Sequence, residues 1–326
     1  MFKSKAFVSC KELLAMEVIK PKALQAGDTI GVIAPSSPVP LEKIEKSLNI
    51  FKEFGYKVKL GKTVGQEYGY LAGNDALRAS DVNQMFADPE VDAIICLRGG
   101  YGTPRILESL NYDLIKNHPK AFVGYSDITA LHSAIHRHTG LVTFHGPMIA
   151  ELADDPHATT WPTLFNHLSG LQAGHRYPKD MLQYSIVEGV AEGRLVGGNL
   201  CLLVATLGTA FEVDTKDKIL FIEDIGEEPY SIDRMLTQLK LAGKLQQAKG
   251  LLFTDFSEAE PKPDKPTLTL EQVLHDLIRP LGIPSYYGLK SGHCQPNLTL
   301  PIGVKARINA TEGWLEFLEE GVETHV

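Results

Sequence analysis

The chain lacks the long apolar run that a membrane-spanning protein needs. Hydrophobic residues make up 44% of its 326 positions and charged residues 22%, but no uninterrupted apolar stretch approaches the roughly 20 residues of a transmembrane helix. A signal-peptide core is also missing, because charged side chains interrupt the amino-terminal segment, namely Lys3, Lys5, Lys11, Glu12 and Lys20. We therefore predict a cytoplasmic protein that does not bind a membrane.

Basic charge is scarce as well. The 40 acidic residues outnumber the 32 basic ones, which gives a formal net charge of −8 and a pI near 5.8. Binding to nucleic acid depends on concentrated Lys and Arg side chains that neutralise phosphates, and no basic stretch supplies them. We expect no nucleic-acid partner.

The cysteines lack the spacing of a disulfide framework or a zinc ribbon. His132 and His136 share one helical face, but Ser133 stands where an H-E-x-x-H zinc peptidase has its glutamate. We therefore predict reduced thiols, no metal and no cofactor. The four cysteines are Cys10, Cys96, Cys201 and Cys294.

Strand-like and helix-like segments alternate through the first half of the chain. Buried strands with continuous apolar residues, separated by helices, indicate a parallel sheet covered on both faces, which binds ligands at the carboxyl ends of its strands. The rhythm is lost over residues 154–188 and a second α/β region follows. We predict an extension over residues 1–20, a first domain over 21–165, a linker over 166–188 and a second domain over 189–326.

Two loops at strand ends could carry chemistry in the first half. Ser126 lies on a turn between a strand and a helix, where a nucleophile would be exposed, although Ile128 replaces the second glycine of a G-x-S-x-G elbow. The alternative is that Ser126 or Asp127 caps the helix. The glycines of residues 96–102 (CLRGGYG) could form an anion hole, a phosphate cradle or a plain tight turn.

Two further loops follow in the second half. Residues 220–228 (LFIEDIGEE) end a strand in acids, where a carboxylate could orient a histidine or simply face solvent. His293 lies in a loop dense with turn residues, where catalytic side chains concentrate. Cys294 beside it is a weaker candidate nucleophile, because adjacent side chains tend to point apart.

Together these segments resemble the LD-carboxypeptidase family, which includes muramoyltetrapeptide carboxypeptidases and the peptidases that give immunity to microcin C. The resemblance runs from about Lys20 to the carboxyl end, and several motifs in one order are more specific than any one alone. The motifs are residues 27–36 (GDTIGVIAPS), 98–102 (RGGYG), 124–127 (GYSD), 143–147 (TFHGP), 197–199 (GGN), 222–224 (IED) and 292–293 (GH).

The resemblance implies a role for each matching residue. Ser126 would be the nucleophile, His293 the general base and Glu223 the carboxylate that orients it, while the backbone amides of Gly100 and Asp127 would form the oxyanion hole. It also implies a flavodoxin-like amino-terminal domain, a smaller carboxyl-terminal α/β domain resembling a swivelling β-barrel, and a homodimer. Strand alternation alone leaves open whether Glu223 or Asp224 faces the histidine.

The expected activity is release of terminal D-alanine from cytoplasmic murein tetrapeptides, small peptides of cell-wall recycling. One alternative keeps the chemistry but acts on peptidyl or acyl-aminoacyl nucleotides, for which Trp161 or Trp314 would provide an aromatic platform. Others are a two-domain binding protein without catalysis and a nucleotide-dependent enzyme using the Gly99 loop. Arg98 and Arg234 are candidates to bind the substrate carboxylate.

Overall fold

A computed structural model describes residues 17–152, 159–177, 181, 183–262 and 266–324. Most of the predicted amino-terminal extension, residues 1–16, and residues 263–265 lie outside this range. The described end of the extension is not separate from the fold, because Ile19 forms a parallel bridge with Leu141. Among the described residues, no helix is long and apolar enough to cross a bilayer.

The first sheet places five parallel strands in the order β2-β1-β3-β4-β5, with β12 antiparallel at the edge beside β5. This is the flavodoxin order, in which the direction of winding reverses between β1 and β3 and leaves a crevice at the carboxyl ends of the strands. The predicted fold of the first half is confirmed. The strands are β1 (Thr29–Ile33), β2 (Lys57–Leu60), β3 (Ala93–Cys96), β4 (Ala121–Gly124), β5 (Thr143–His145) and β12 (Leu300–Ile302).

Helices pack on both faces of the first sheet. Local signals set their limits: the Asn74 side chain accepts a hydrogen bond from the Leu77 amide at the start of α2, and Gly140 ends α4 with a left-handed φ of 77°. They are α1 (Leu41–Glu53), α2 (Asp75–Ala87), α3 (Tyr112–Asn117), α4 (Thr129–Thr139), α5 (Ile149–Leu152) and α6 (Thr160–Leu168), with 3-10 helices over Thr103–Ser109 and Ser126–Ile128.

The second sheet is mixed, in the order β6-β14-β13-β8-β9-β10-β11-β7. Strands β8 to β11 are parallel and the outer strands antiparallel. Its strands are β6 (Arg176–Tyr177), β7 (Tyr184–Val187), β8 (Val190–Asn199), β9 (Ile219–Ile225), β10 (Gly250–Ser257), β11 (Ser285–Tyr287), β13 (Lys305–Asn309) and β14 (Trp314–Phe317), and its helices are α7 (Leu200–Ala205), α8 (Pro229–Leu241) and α9 (Leu270–Ile278), with a 3-10 helix at Arg279–Leu281.

Three features were not predicted from the sequence. The segment interpreted as a linker contributes β6 and β7, one at each edge of the second sheet, and β12 returns from the second half to join the first sheet. Strand β8 was missed because glycine is rare in strands. Its glycines are required by close packing, since a side chain on Gly197 would collide with the Phe221 carbonyl of β9.

One apolar core runs through both sheets. A single cluster of buried side chains includes Val32 and Phe144 from the first sheet and Phe221 and Leu252 from the second, and each side chain of this size contributes about 1.5–3 kcal/mol when it is buried. A second cluster packs α2 and α4 against the first sheet and includes Phe86, Phe122 and Leu131. The shared core fixes the strand ends of one sheet relative to those of the other.

Candidate active site

The turn after β4 holds Ser126 in an unusual conformation. Its φ is 62°, a left-handed value that a non-glycine residue adopts only where the surrounding structure enforces it. The side chain is partly exposed, whereas the residues on both sides of it are buried. A strained turn between a strand and a helix is the geometry of a nucleophile elbow.

The glycine loop after β3 packs directly against this turn. A β-carbon on Gly99 would lie 2.8 Å from the Ser126 β-carbon and 3.0 Å from its hydroxyl oxygen, so only glycine permits this approach. The next residue, Gly100, has a φ of 116°, and a side chain there would collide with the Ser37 hydroxyl. Backbone amides of this loop can therefore come close to any group bound at Ser126.

The Asp127 side chain connects three loops through hydrogen bonds. Its carboxylate is buried and accepts hydrogen bonds from the Ser36 hydroxyl at 2.7 Å and from the Thr103 amide at 2.9 Å. Among the described residues, neither Ser126 nor Asp127 makes a side-chain capping bond to the helices that follow. The helix-cap alternative is therefore wrong, and the carboxylate instead holds the loops after β1 and β3 against the turn.

The Glu223 carboxylate at the end of β9 faces His293. The imidazole Nδ1 lies 2.7 Å from Oε2 of Glu223, whose side chain is completely buried. Asp224 points elsewhere and accepts hydrogen bonds from the Asn199 side chain at 2.9 Å and the Cys201 amide at 3.0 Å. Gly292 allows the contact, because a β-carbon there would lie 2.6 Å from Oε2 of Glu223.

Charge around the imidazole favours its protonated form. Burial alone would lower the pKa of His293, but the hydrogen bond and the negative charge of Glu223 outweigh it, so the net pKa is raised above the usual 6.5. Burial, together with the Glu223 charge, also raises the pKa of Asp224 to about 6. The acidic end of β9 is thus part of the site and not a solvated loop.

Two contacts bring the halves of the site together. The ring of Tyr125, the residue before Ser126, lies with its centroid 4.8 Å from that of His293. At the base of α4, the Thr129 hydroxyl accepts a hydrogen bond from the Asn199 amide at 3.0 Å, where the end of β8 meets the helix. The structure therefore assembles the Ser126 turn, the Gly99 loop, Glu223 and His293 at one place between the two sheets.

Other candidates from the sequence lie outside this assembly or are chemically unsuited to it. His132 and His136 are buried, each ring contacts a backbone carbonyl, and burial lowers the pKa of both to about 4. Among the described residues, no group of three or more His, Cys, Asp or Glu side chains could hold a metal. Burial raises the pKa of the Cys294 thiol far above its usual value, which disfavours the nucleophilic thiolate.

Neither tryptophan lies beside the imidazole. Trp161 is buried against Phe51 in the core, with ring centroids 5.5 Å apart. The centroid of the Trp314 ring lies 4.3 Å from the Arg176 guanidinium. Trp314 is the first residue of β14 and pairs with the end of β13, which lies opposite the start of β8. Asn199 and Glu223 lie at the other end of β8 and β9, far from Trp314. The two candidate arginines, Arg98 and Arg234, are both exposed.

The sequence reasoning missed the supporting residues Ser36, Thr103, Thr129 and Tyr125. Ser36 and Tyr125 lie within motifs that were recognised, but their partners are distant in sequence: the Ser36 hydroxyl bonds to a carboxylate 91 positions away. A motif shows which residue is present without showing what that residue contacts.

Comparison with known proteins agrees with the geometry. Models of the LD-carboxypeptidase amino-terminal and carboxyl-terminal domains match residues 30–146 and 192–308. A probable murein peptide carboxypeptidase of Bacillus subtilis strain 168 is 50% identical over 299 residues, covering 90% of this chain and 92% of that protein. The chain therefore belongs to the LD-carboxypeptidase family, and it is a serine-type carboxypeptidase.

Solved structures agree with this placement. A muramoyltetrapeptide carboxypeptidase from Oxalobacter formigenes superposes with a TM-score of 0.81 at 32% identity, covering 89% of this chain and 97% of that one. MccF, the microcin C7 self-immunity protein of Escherichia coli, in complex with glutamyl sulfamoyl guanosine, superposes with a TM-score of 0.86 at 26% identity, covering 93% and 99%. The predicted two-domain α/β fold is confirmed.

Proposed function

We propose that this enzyme removes the terminal D-alanine from murein tetrapeptides by attack of Ser126 on the scissile carbonyl. The observation that carries the proposal is the 2.7 Å hydrogen bond between Nδ1 of His293 and the buried carboxylate of Glu223, next to a serine held at a φ of 62°. The names of the Bacillus and Oxalobacter relatives supply the substrate class. We further propose that the enzyme works as a cytoplasmic homodimer without a cofactor.

His293 acts as the general base. Donation of its Nδ1 hydrogen to Glu223 leaves Nε2 as the neutral nitrogen that accepts the Ser126 proton. The serine oxygen then bonds to the carbonyl carbon of the diamino-acid residue, and the carbonyl oxygen becomes negatively charged. The amides of Gly100 and Asp127 stabilise this oxyanion.

Collapse of this intermediate breaks the peptide bond. The imidazolium gives its proton to the departing amine, D-alanine leaves, and the shortened peptide remains as an ester on Ser126. Water, deprotonated by His293, then attacks the ester, which releases the tripeptide and restores the serine. The burial of Glu223 keeps its carboxylate in place through both steps, because no solvent competes for it.

A second candidate substrate is an acyl-aminoacyl nucleotide. The structural likeness to MccF, solved with a sulfamoyl guanosine bound, favours it. Against it, the position of Trp161 and Trp314 gives no tryptophan platform beside His293. The chemistry at Ser126 would be the same for both substrates.

Release of D-alanine from a purified murein tetrapeptide tests the proposal. The wild-type protein should release it, and Ser126→Ala should release it at least about 10⁴-fold more slowly. Ser80→Ala is the matched control, because Ser80 lies on α2 and its hydroxyl accepts a hydrogen bond from Gln84 of the same helix. A folded wild type that releases no D-alanine but cleaves an acyl-aminoacyl nucleotide would reassign the substrate.

A further inference from the structure

Tyr125 connects the candidate base to a second carboxylate. Its side chain is only 6% exposed, and its ring meets the His293 imidazole at an interplanar angle of 63°. The tyrosine hydroxyl donates a hydrogen bond of 2.7 Å to Oε1 of Glu151 on α5. Burial and the nearby Glu151 carboxylate raise the pKa of Tyr125 well above its usual value, so the hydroxyl remains a donor.

The hydrogen bond to Glu223 does not by itself fix the imidazole. It holds one ring nitrogen, and the ring can still pivot about that contact and carry Nε2 away from Ser126. An aromatic ring packed edge to face against the imidazole opposes this rotation. The Tyr125 ring is in turn fixed at both ends, by the strained backbone of Ser126 beside it and by the bond from its hydroxyl to Glu151.

Several other charged groups surround His293. From β9, Glu223 and Asp224 both favour its protonated form, as does Glu151 from α5. On β5, His145 is fully buried, which lowers its pKa and leaves it neutral.

On β10, Asp255 is paired with Lys290 at 2.8 Å, so the two charges largely cancel. The Ser257 hydroxyl beside them contacts the His293 carbonyl at 2.6 Å. The Cys294 thiol next to the imidazole is neutral because burial raises its pKa. Glu151 is therefore the carboxylate outside β9 whose charge acts on the imidazole.

We propose that Tyr125 and Glu151 form a positioning pair for His293, in which the Tyr125 ring fixes the imidazole and Glu151 anchors that ring and places a second negative charge nearby. The inference rests on the proposed role of His293 as the general base. Neither residue touches the reacting atoms, so both act through the imidazole.

The charge of Glu151 is tested by NMR titration of the His293 imidazole, assigned by comparison with His293→Gln. Glu151→Gln retains an oxygen that can accept the tyrosine hydrogen bond and removes only the charge. We expect the pKa of His293 to fall in Glu151→Gln and to stay unchanged in the control Glu320→Gln, whose carboxylate also accepts a hydroxyl hydrogen bond, from Thr324 at 3.1 Å. An unchanged pKa in Glu151→Gln would overturn the inference.

The anchor is tested by the rate at which a fluorophosphonate labels Ser126, a reaction that needs no knowledge of the peptide substrate. Tyr125→Phe keeps the ring and loses the bond to Glu151, and labelling at neutral pH should slow about threefold or more. In the Glu151→Gln background, Tyr125→Phe should slow labelling less, because the effects of substitutions at two interacting residues are not additive. Equal slowing in both backgrounds, or no slowing, contradicts the pair.

The experiments test the proposed nucleophile and the positioning pair separately. Absence of labelling at Ser126 in the wild type would refute the proposed nucleophile, while the titration of His293 would still decide whether Glu151 acts on the imidazole.

Discussion

The two halves of the site are built in different ways. The Ser126 half consists of the backbone turns after β1, β3 and β4, held together by the Asp127 carboxylate and by glycines that permit close packing. The His293 half consists of side-chain contacts between distant segments, such as the pair between His293 and Glu223, 70 positions apart. One half depends mainly on backbone shape and the other on the placement of charge.

The two halves should respond differently to substitution. A strained backbone turn shared by three loops offers few alternative conformations to its serine. The imidazole is held by its hydrogen bond to Glu223 and by packing against the Tyr125 ring, so small changes in its neighbours should alter activity more than they alter stability. Three of the four substitutions below therefore concern the His293 half, and the fourth is at a distant tryptophan.

The largest effect is expected from His293→Ala. Loss of the base should lower kcat for D-alanine release about 10⁴-fold, with little change in the melting temperature. His118→Ala is the control, because His118 is an exposed residue at the end of α3 whose ring forms a hydrogen bond with the Leu114 carbonyl of its own helix. Activity within tenfold of wild type in His293→Ala would remove His293 from the mechanism.

Glu223→Gln should have the next largest effect and should also change the pH dependence. The base must be neutral to accept a proton, so wild-type kcat/KM should fall as the pH drops through the raised pKa of His293, above 6.5. Removal of the Glu223 charge lowers that pKa, which moves the acid limb to lower pH while the maximal rate falls about 10³-fold. A pH profile of kcat/KM for both proteins measures this, and an acid limb that stays in place would contradict the pairing.

Gly292→Ala should cost less. The added methyl group would lie 2.6 Å from Oε2 of Glu223 and push the carboxylate away from the imidazole, lowering kcat about 10- to 100-fold. Gly27→Ala is a matched control, since Gly27 also has a φ outside the left-handed helical region, at 90°, but no atom of the described residues lies within 4 Å of the added carbon. Comparison of the two separates backbone strain, which both share, from displacement of Glu223, which should occur in Gly292→Ala alone.

Trp314→Phe should have the smallest effect. Trp314 lies with Arg176 at the far end of the second sheet, so kcat/KM should stay within about twofold of wild type for a murein peptide and for an acyl-aminoacyl nucleotide alike. A large loss confined to the nucleotide substrate would show that this residue reaches the substrate after all and would favour the second candidate function.

The difference between the two halves also explains what could be predicted from the sequence. The parallel sheet and the strand-turn-helix position of Ser126 follow from local apolar runs and turn residues, which one stretch of sequence contains. The choice between Glu223 and Asp224 could not be made from alternation alone, because both end the same strand and only the position of the distant His293 distinguishes them. No sequence pattern indicated a role for Glu151, since its partner Tyr125 lies on another element.

Strands β6 and β7, and the place of β12 in the first sheet, were missed for a related reason. Each lies at the edge of a sheet and is short, with only two residues in β6 and three in β12. Such strands are too short to show the alternation of apolar and polar residues by which a strand is predicted. Their pairing is decided by edges formed elsewhere in the chain. The glycine-rich strand β8 is the opposite case, because it is long and central. Its glycines have a low propensity for strands, which argued against the prediction of a strand. It forms nevertheless, because close packing outweighs that propensity.

In the proposed mechanism, Ser126 forms an ester with the shortened peptide. Intact-protein mass spectrometry after rapid acid quenching of the enzyme with a murein tetrapeptide tests it most directly, followed by digestion to locate the adduct. The account predicts a mass increase equal to the acyl group of the tripeptide, confined to the fragment that contains Ser126 and absent from Ser126→Ala. D-alanine release accompanied by an adduct on Cys294, or continued release by Ser126→Ala, would contradict it.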